Sequence, residues 1–363
     1  MYLICTQNKA ITFLFFRQPA IRIQDLMLKF PHFPEQILQK LDNESLFKCG
    51  EVARSWKNII DERNYQWIRV VNIPTILESG NTYLHLSAAT GQIEVFKTAL
   101  SKEEDKKVEN EFGETFFHLV CYNGHLNIVE LLLKNTNLEV DFDAKSKYDE
   151  MAFNLACMWG HSYVVTILMA NADVLRIDVN GKAFHLACLR GHSDVVKTFM
   201  ENASALSIDL NKKNDYDVTG FHLACQCGHS NVVKIFIENA TALSIDLNRK
   251  GRCGWTGFHR ACRRGTFNVV KILMENALTL GIDIDTKDND GFTGFHLACR
   301  RGNFNVVKIF MENALNLGID LNTKNNYGFT GFHQACRFGH KDVVRVLTEN
   351  AAKFSIDLNV NIK

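Results

Sequence analysis

A histidine and a cysteine three positions apart recur along this 363-residue chain: His118 with Cys121, His185 with Cys188, His222 with Cys225, His259 with Cys262, His296 with Cys299 and His333 with Cys336. On a helix that spacing sets imidazole and thiol on one face, where they could supply half of a zinc site or a base beside a thiol nucleophile. A zinc site needs about four donors, each within roughly 2.0–2.3 Å of one ion. Helices of adjacent copies, packed about 8–10 Å apart, are poorly placed to gather them. A nucleophile needs one copy activated above the others, and nothing singles one out. The phrase also survives with Asn154 at the histidine position. The pairs therefore read as structural: the histidine hydrogen-bonds turn backbone around a preceding threonine, and the cysteine is a small buried apolar residue. The expectation is a chain without catalytic residues, metal or cofactor.

The elements that position these pairs are repeats. The histidines, or their substitute, stand at His85, His118, Asn154, His185, His222, His259, His296 and His333, and from His185 onward they recur every 37 residues. About eight units fill residues 80–363. In one of them Thr293 can cap a short helix, FHLACRR, which Gly302 ends in the left-handed conformation. A second helix follows, NVVKIFMENALNL, whose Val306, Val307, Phe310, Met311, Ala314 and Leu315 form an apolar stripe that neighbouring helices must cover. GIDLNTKNNYGF then supplies turn residues and an extended finger.

Helix, tight turn, helix and finger, with the phrases T-x-[FL]-H-x-A-C and G-H-x-x-V-V, resemble the ankyrin repeat over about four-fifths of the chain. The resemblance implies an all-α repeat protein, a helix-turn-helix solenoid of about eight units that recognises a protein through its finger tips and first-helix face. Later copies exceed the usual unit of about 33 residues by four. The sequence predicts a second helix lengthened by close to one turn, ended by Gly281 or Gly318, or by Ser207, Ser244 or Ser355, with a longer loop as the alternative. Where the family prefers Thr-Pro-Leu-His this chain writes Thr-Gly-Phe-His, so the first turn lacks the preset φ of proline and relies on a larger aromatic plug. In the third unit, Asn154 and a shorter finger before Phe184 predict a local irregularity.

Residues 25–76 belong to no repeat, and an N-terminal segment, 1–24, precedes them. Ile37, Leu38 and Leu41 mark a short helix after Pro34, and Leu46, Cys49, Ala53, Trp56 and Ile60 recur at helical steps along a longer one. The stretch FPEQILQKLDNESLFKCGEVARSWKNII resembles the F-box over about 45 residues. That resemblance implies a small helical domain docking on the adaptor of a cullin-RING ubiquitin ligase, with Pro34, Ile37, Leu38, Leu46, Val52 and Trp56 as its adaptor-binding residues. The alternative is a segment that only caps the open end of the array.

With 41 basic and 40 acidic side chains the chain lacks the charge balance of a general nucleic-acid binder. Ile11–Phe16 is shorter than a signal-peptide core, and no stretch approaches the roughly 18 apolar residues of a membrane span. Seven of the eleven cysteines recur at one helical position, a pattern that suits a reducing compartment. The expectation is a cytoplasmic or nuclear protein that binds neither membrane nor nucleic acid. Local charge does stand out. Arg260, Arg263 and Arg264, then Arg300 and Arg301, then Arg337 fall on the predicted first-helix face of three neighbouring copies, beside Trp255, Phe292 and Phe329 in register. Arginine and aromatic residues dominate interface hot spots, and guanidinium forks suit carboxylates and phosphates. Two readings stay open: a patch that selects an acidic or phosphorylated segment, or a solvated face whose aromatics pack finger against finger. Together these readings describe a substrate receptor of a cullin-RING ligase, or alternatively a plain ankyrin scaffold.

Overall fold

The computed structural model describes residues 80–102, 106–135 and 138–359. The segment 1–24 and the F-box-like segment, with Pro34, Ile37, Leu38, Leu46, Val52 and Trp56, lie outside the described residues. Among the described residues there are 19 α-helices and no strands, the architecture of an α solenoid. The repeats contribute α1 (Tyr83–Thr90) and α2 (Ile93–Lys102); α3 (Phe116–Asn123) and α4 (Leu126–Lys134); α5 (Ala152–Trp159), α6 (Ser162–Ala170) and α7 (Ala172–Leu175); α8 (Ala183–Arg190) and α9 (Ser193–Asn202); α10 (Gly220–Cys227) and α11 (Ser230–Asn239); α12 (Gly257–Arg264), α13 (Phe267–Glu275) and α14 (Ala277–Leu280); α15 (Gly294–Arg301) and α16 (Phe304–Leu317); and α17 (Gly331–Arg337), α18 (Lys341–Glu349) and α19 (Ala351–Phe354). Two compact units divide them. One holds the described residues up to Ala156 with Ile167–Ile177, and the other holds Cys157–Thr166 with those from Asp178 on.

The helix limits follow the sequence. Thr82, Thr115, Thr219, Thr256, Thr293 and Thr330 cap first helices from an extended backbone, and Gly302 closes α15 at φ 69°, a conformation that suits glycine. The second-helix stripe is buried as its spacing requires, with Val306, Val307, Phe310, Met311 and Ala314 inward, whereas Leu315 faces solvent. The extra turn is present, as helix in some copies and as a non-helical turn at 203–207 and 240–244. In α16 it continues the helix to Gly318, while after α13 it forms the separate turn α14, ended by Gly281. Ser207, Ser244 and Ser355 end the corresponding turns with positive φ.

In the second unit the phenylalanine of each Thr-Gly-Phe-His phrase is buried: Phe221, Phe258, Phe295 and Phe332. The glycine before it has a reason of its own. A Cβ on Gly257 would lie 2.7 Å from Cε1 of Phe221 and 3.1 Å from Sγ of Cys225, both in the preceding repeat, and Gly220, Gly294 and Gly331 are hemmed in likewise. The large plug of one repeat thus occupies the space that a side chain of the next would need.

The expected irregularity around the third repeat has two visible parts. Asn154 is buried with its Oδ1 lacking a hydrogen-bond partner. Ahead of His185 the cap position is Lys182 in the right-handed helical region, without a threonine hydroxyl, and His185 Nδ1 is buried without a partner.

Candidate functional site

The recurring histidines carry the first test of chemistry. The main-chain N–H of Thr293 donates to His296 Nδ1 at 3.2 Å, and the Thr293 hydroxyl lies 2.9 Å from the same nitrogen. His296 Nε2 lies 2.9 Å from the carbonyl oxygen of Phe329 in the next finger. Since a carbonyl only accepts, Nε2 carries the proton and Nδ1 is the acceptor: the ring is neutral and both nitrogens are committed. His85, His118, His222, His259 and His333 repeat the arrangement toward Glu114, Glu150, Trp255, Phe292 and Asn359. Burial lowers the pKa of His222 and His296 to about 4, against the pull of their carbonyl partners. It also raises the thiols of Cys121, Cys188, Cys225, Cys262 and Cys299, the reverse of what a nucleophile or metal ligand needs. Among the described residues no three His, Cys, Asp or Glu side chains gather as ligands.

The second histidine of the repeat phrase, given no role by sequence reading, ties each second helix back to the preceding unit. His229 Nε2 donates to the carbonyl of Leu189 and His340 Nε2 to that of Arg300, each at 2.9 Å, while Asn303 Nδ2 donates to Cys262 and Arg263. These carbonyls end first helices and would otherwise lack intrahelical donors. The bonds hold the backbone from which Arg263 and Arg300 project.

Those arginines lie on the face that the sequence pointed to. Arg263 and Arg264 end α12, Arg300 and Arg301 end α15, and Arg337 ends α17, where the helix dipole favours cations. In each repeat the arginine four residues after the histidine covers the ring four before it. Arg263 lies 4.8 Å from the centroid of Trp255, Arg300 5.5 Å from that of Phe292, and Arg337 5.6 Å from that of Phe329. Arg260 also reaches Trp255, at 5.9 Å, and donates to Gln226 Oε1 at 2.7 Å. Trp255 is held by its own Nε1–H, which donates to Asp288 at 2.8 Å. Among the described residues no ion pair engages any of the six arginines. Asp217, the acidic group facing Arg260, is paired with Lys213 at 2.7 Å.

Arg264, Arg300, Arg301 and Arg337 are exposed, and Arg260, Arg263, Trp255 and Phe329 are half-buried. Phe292 differs from expectation: only 6% of it is exposed, its ring packed beside His296 at 5.8 Å and Tyr327 of the next repeat at 6.4 Å, with Arg300 over it. It supports a contact residue and offers no contact surface itself. Two neighbours were missed. Phe338, 46% exposed, forms a second wall for Arg300 at 5.1 Å, and Arg190, exposed, adds a cation on α8, separated from α12 by the uncharged Gln226 and Cys227 of α10. Both stand five residues after a repeat histidine, the register of Arg264 and Arg301, so the signal was there.

The family profile for ankyrin repeats in three copies matches residues 84–180, 184–288 and 258–361. The chain belongs to the ankyrin-repeat family. No match to the F-box family was found. Among curated proteins, Alpha-latroinsectotoxin-Lt1a of Latrodectus tredecimguttatus is 29% identical over 103 residues, 28% of this chain. The match spans 7% of that relative's length.

Proposed function

We propose that this protein is a non-catalytic recognition module whose last three repeats bind an acidic segment of a partner protein. One observation carries the reading: six guanidinium groups share a face, four of them braced on aromatic rings, and none is ion-paired within the described residues. Ankyrin repeats suit a protein partner, and no helix of the described residues is long and apolar enough to cross a membrane. The test is affinity purification from cytoplasmic and nuclear extracts with the parent chain and with Arg263→Glu, Arg300→Glu and Arg337→Glu combined, after circular dichroism has shown that the variant is folded. Partners bound through this face are lost from the variant, and those the parent retains leave it progressively as salt rises, since exposed charges are screened over about 10 Å at 0.1 M. An unchanged partner set counts against the reading.

A second reading rests on the sequence of residues 25–76, whose FPEQILQKL and RSWKNII resemble the F-box. As a substrate receptor the protein would bring its target beside the ubiquitin-charged enzyme on a cullin-RING scaffold, so that a bimolecular step behaves as an intramolecular one. Truncating two apolar anchors, Leu46→Ala with Trp56→Ala, then reduces adaptor recovery about thirtyfold or more. Equal recovery removes the ligase role and leaves the recognition module standing.

A further inference from the structure

We propose that Arg263, Arg264, Arg300 and Arg301 form a site for the phosphate of a phosphorylated side chain in an extended segment of the partner. The proposal rests on the reading of this face as a partner surface and goes beyond it by naming the anion. The four groups end two neighbouring first helices and act on one another: the guanidinium of Arg263 is pulled below its ordinary pKa by partial desolvation and by the charges of Arg301, Arg264 and Arg300. A carboxylate brings one charge and two oxygens. A phosphate monoester brings about two charges and three acceptor oxygens, enough to engage forks from both helices at once.

Much of the site's ordering is complete before a ligand arrives. Arg263 is stacked on Trp255 and Arg300 lies between Phe292 and Phe338. The main-chain carbonyls of both arginines are held by Asn303 and His340 of the repeats that follow. Side chains already immobilised lose less entropy on binding. The same stacking argues against a nucleic acid as the source of the phosphate, because single strands bind through free aromatic faces and here guanidinium groups cover Trp255, Phe292 and Phe329. The net charge of +1 also gives no general attraction to polyanions.

Spacing adds a directional expectation. An extended chain advances about 3.3–3.6 Å per residue, and packed helices stand about 8–10 Å apart, so about three residues of a bound segment span one repeat. With the phosphate between α12 and α15, Arg337 on α17 stands one and a half repeats on, about 12–15 Å, so a side chain about four positions away, on the same side of the extended chain, falls there and an acidic residue is favoured.

The experiment uses the full chain and oriented nonapeptide libraries whose central residue is phosphoserine, phosphotyrosine, serine or glutamate, read by fluorescence anisotropy at two salt concentrations with a single-stranded DNA oligonucleotide as competitor. The expected result is at least tenfold tighter binding of a phosphorylated library than of the glutamate one, with an acidic residue selected four positions away. Arg263→Lys with Arg300→Lys keeps both charges but loses the forks, and should cost at least fivefold. If that variant does not fold, Arg301→Glu alone, at an exposed position, reads out the same loss. Equal binding of phosphorylated and glutamate libraries overturns the phosphate site and leaves the acidic-segment reading intact. Failure of every peptide overturns both. Displacement by DNA at lower concentration than by phosphopeptide assigns the site to nucleic acid and overturns the proposal.

Discussion

A single buried histidine in this chain does three jobs. It accepts from its own threonine cap, keeps the first helical turn closed, and donates across the repeat boundary to a finger carbonyl about thirty residues away in sequence. All three require the neutral ring. In the unfolded chain such a histidine titrates near 6.5, whereas in the folded protein burial depresses His222 and His296 to about 4 and lowers His85, His118, His185 and His259. A depressed pKa means that stability is present above pH 6.5 and is lost as the pH falls toward 4. Each of His222 and His296 contributes roughly 3 kcal/mol to that loss. Urea midpoints measured between pH 7.5 and 4.5 should fall steeply below 6.5, and less steeply in His296→Gln. A level profile would show that the rings are not held neutral. Thr293 and His296 were legible as a cap from their spacing, but the finger carbonyl was not, because its partner is set by how two repeats superpose.

Between elements, two couplings repeat down the second unit. The first joins the aromatic plug to the glycine of the next repeat. In an open helix Gly→Ala stabilises by up to about 1 kcal/mol, but at Gly257 the added Cβ meets the buried Phe221 ring. Gly257→Ala should therefore destabilise by about 1–3 kcal/mol, as overpacking does, and Phe221→Leu should recover much of it in the double variant. A more stable Gly257→Ala would show that the ring yields. The second coupling is a row of asparagines along the fingers. Asn211 donates to Ser244 O and accepts from Asp246 N–H, Asn248 does the same toward Gly281 and Asp283, and Asn322 toward Ser355 and Asp357. At the corresponding place Asp285 makes neither bond. Partial desolvation and the nearby carboxylates of Asp283 and Asp320 raise its pKa to about 6. A raised carboxylate pKa means that the folded protein is favoured at low pH and loses that contribution as the pH rises through 6. Asp285→Asn should thus stabilise by about 1 kcal/mol at pH 7.5 by completing the row, with the gain shrinking toward pH 4.5. Thermal midpoints at the two pH values check this, and a gain independent of pH would count against the titration.

At the scale of the whole molecule, nearly equal numbers of acidic and basic side chains conceal an uneven distribution. The net charge of +1 gives no long-range attraction for a polyanion, so the arginine face works at short range and by geometry. Repeat proteins concentrate packing in the positions that every unit shares and leave the others free to vary. That is why the positions four and five after the histidine carry leucine and arginine at 189 and 190, glutamine and cysteine at 226 and 227, and arginine pairs only at 263–264 and 300–301.

What the sequence determined by itself is whatever a unit settles internally: the number and register of the repeats, the helix limits at Thr293 and Gly302, the extra turn ended by Gly281 and Gly318, and the structural role of the histidine and cysteine pairs. These depend on residues a few positions apart, and eight copies repeat the message. Tertiary structure alone decided what depends on one repeat laid against the next. Phe292 is buried beside Tyr327 of the next repeat, Phe338 rises as a second wall for Arg300, Gly257 makes room for Phe221, and Asp285 breaks a row that no local spacing reveals. Stacking brings together residues about 33–41 positions apart, and the direction in which each side chain then points is set by packing between repeats.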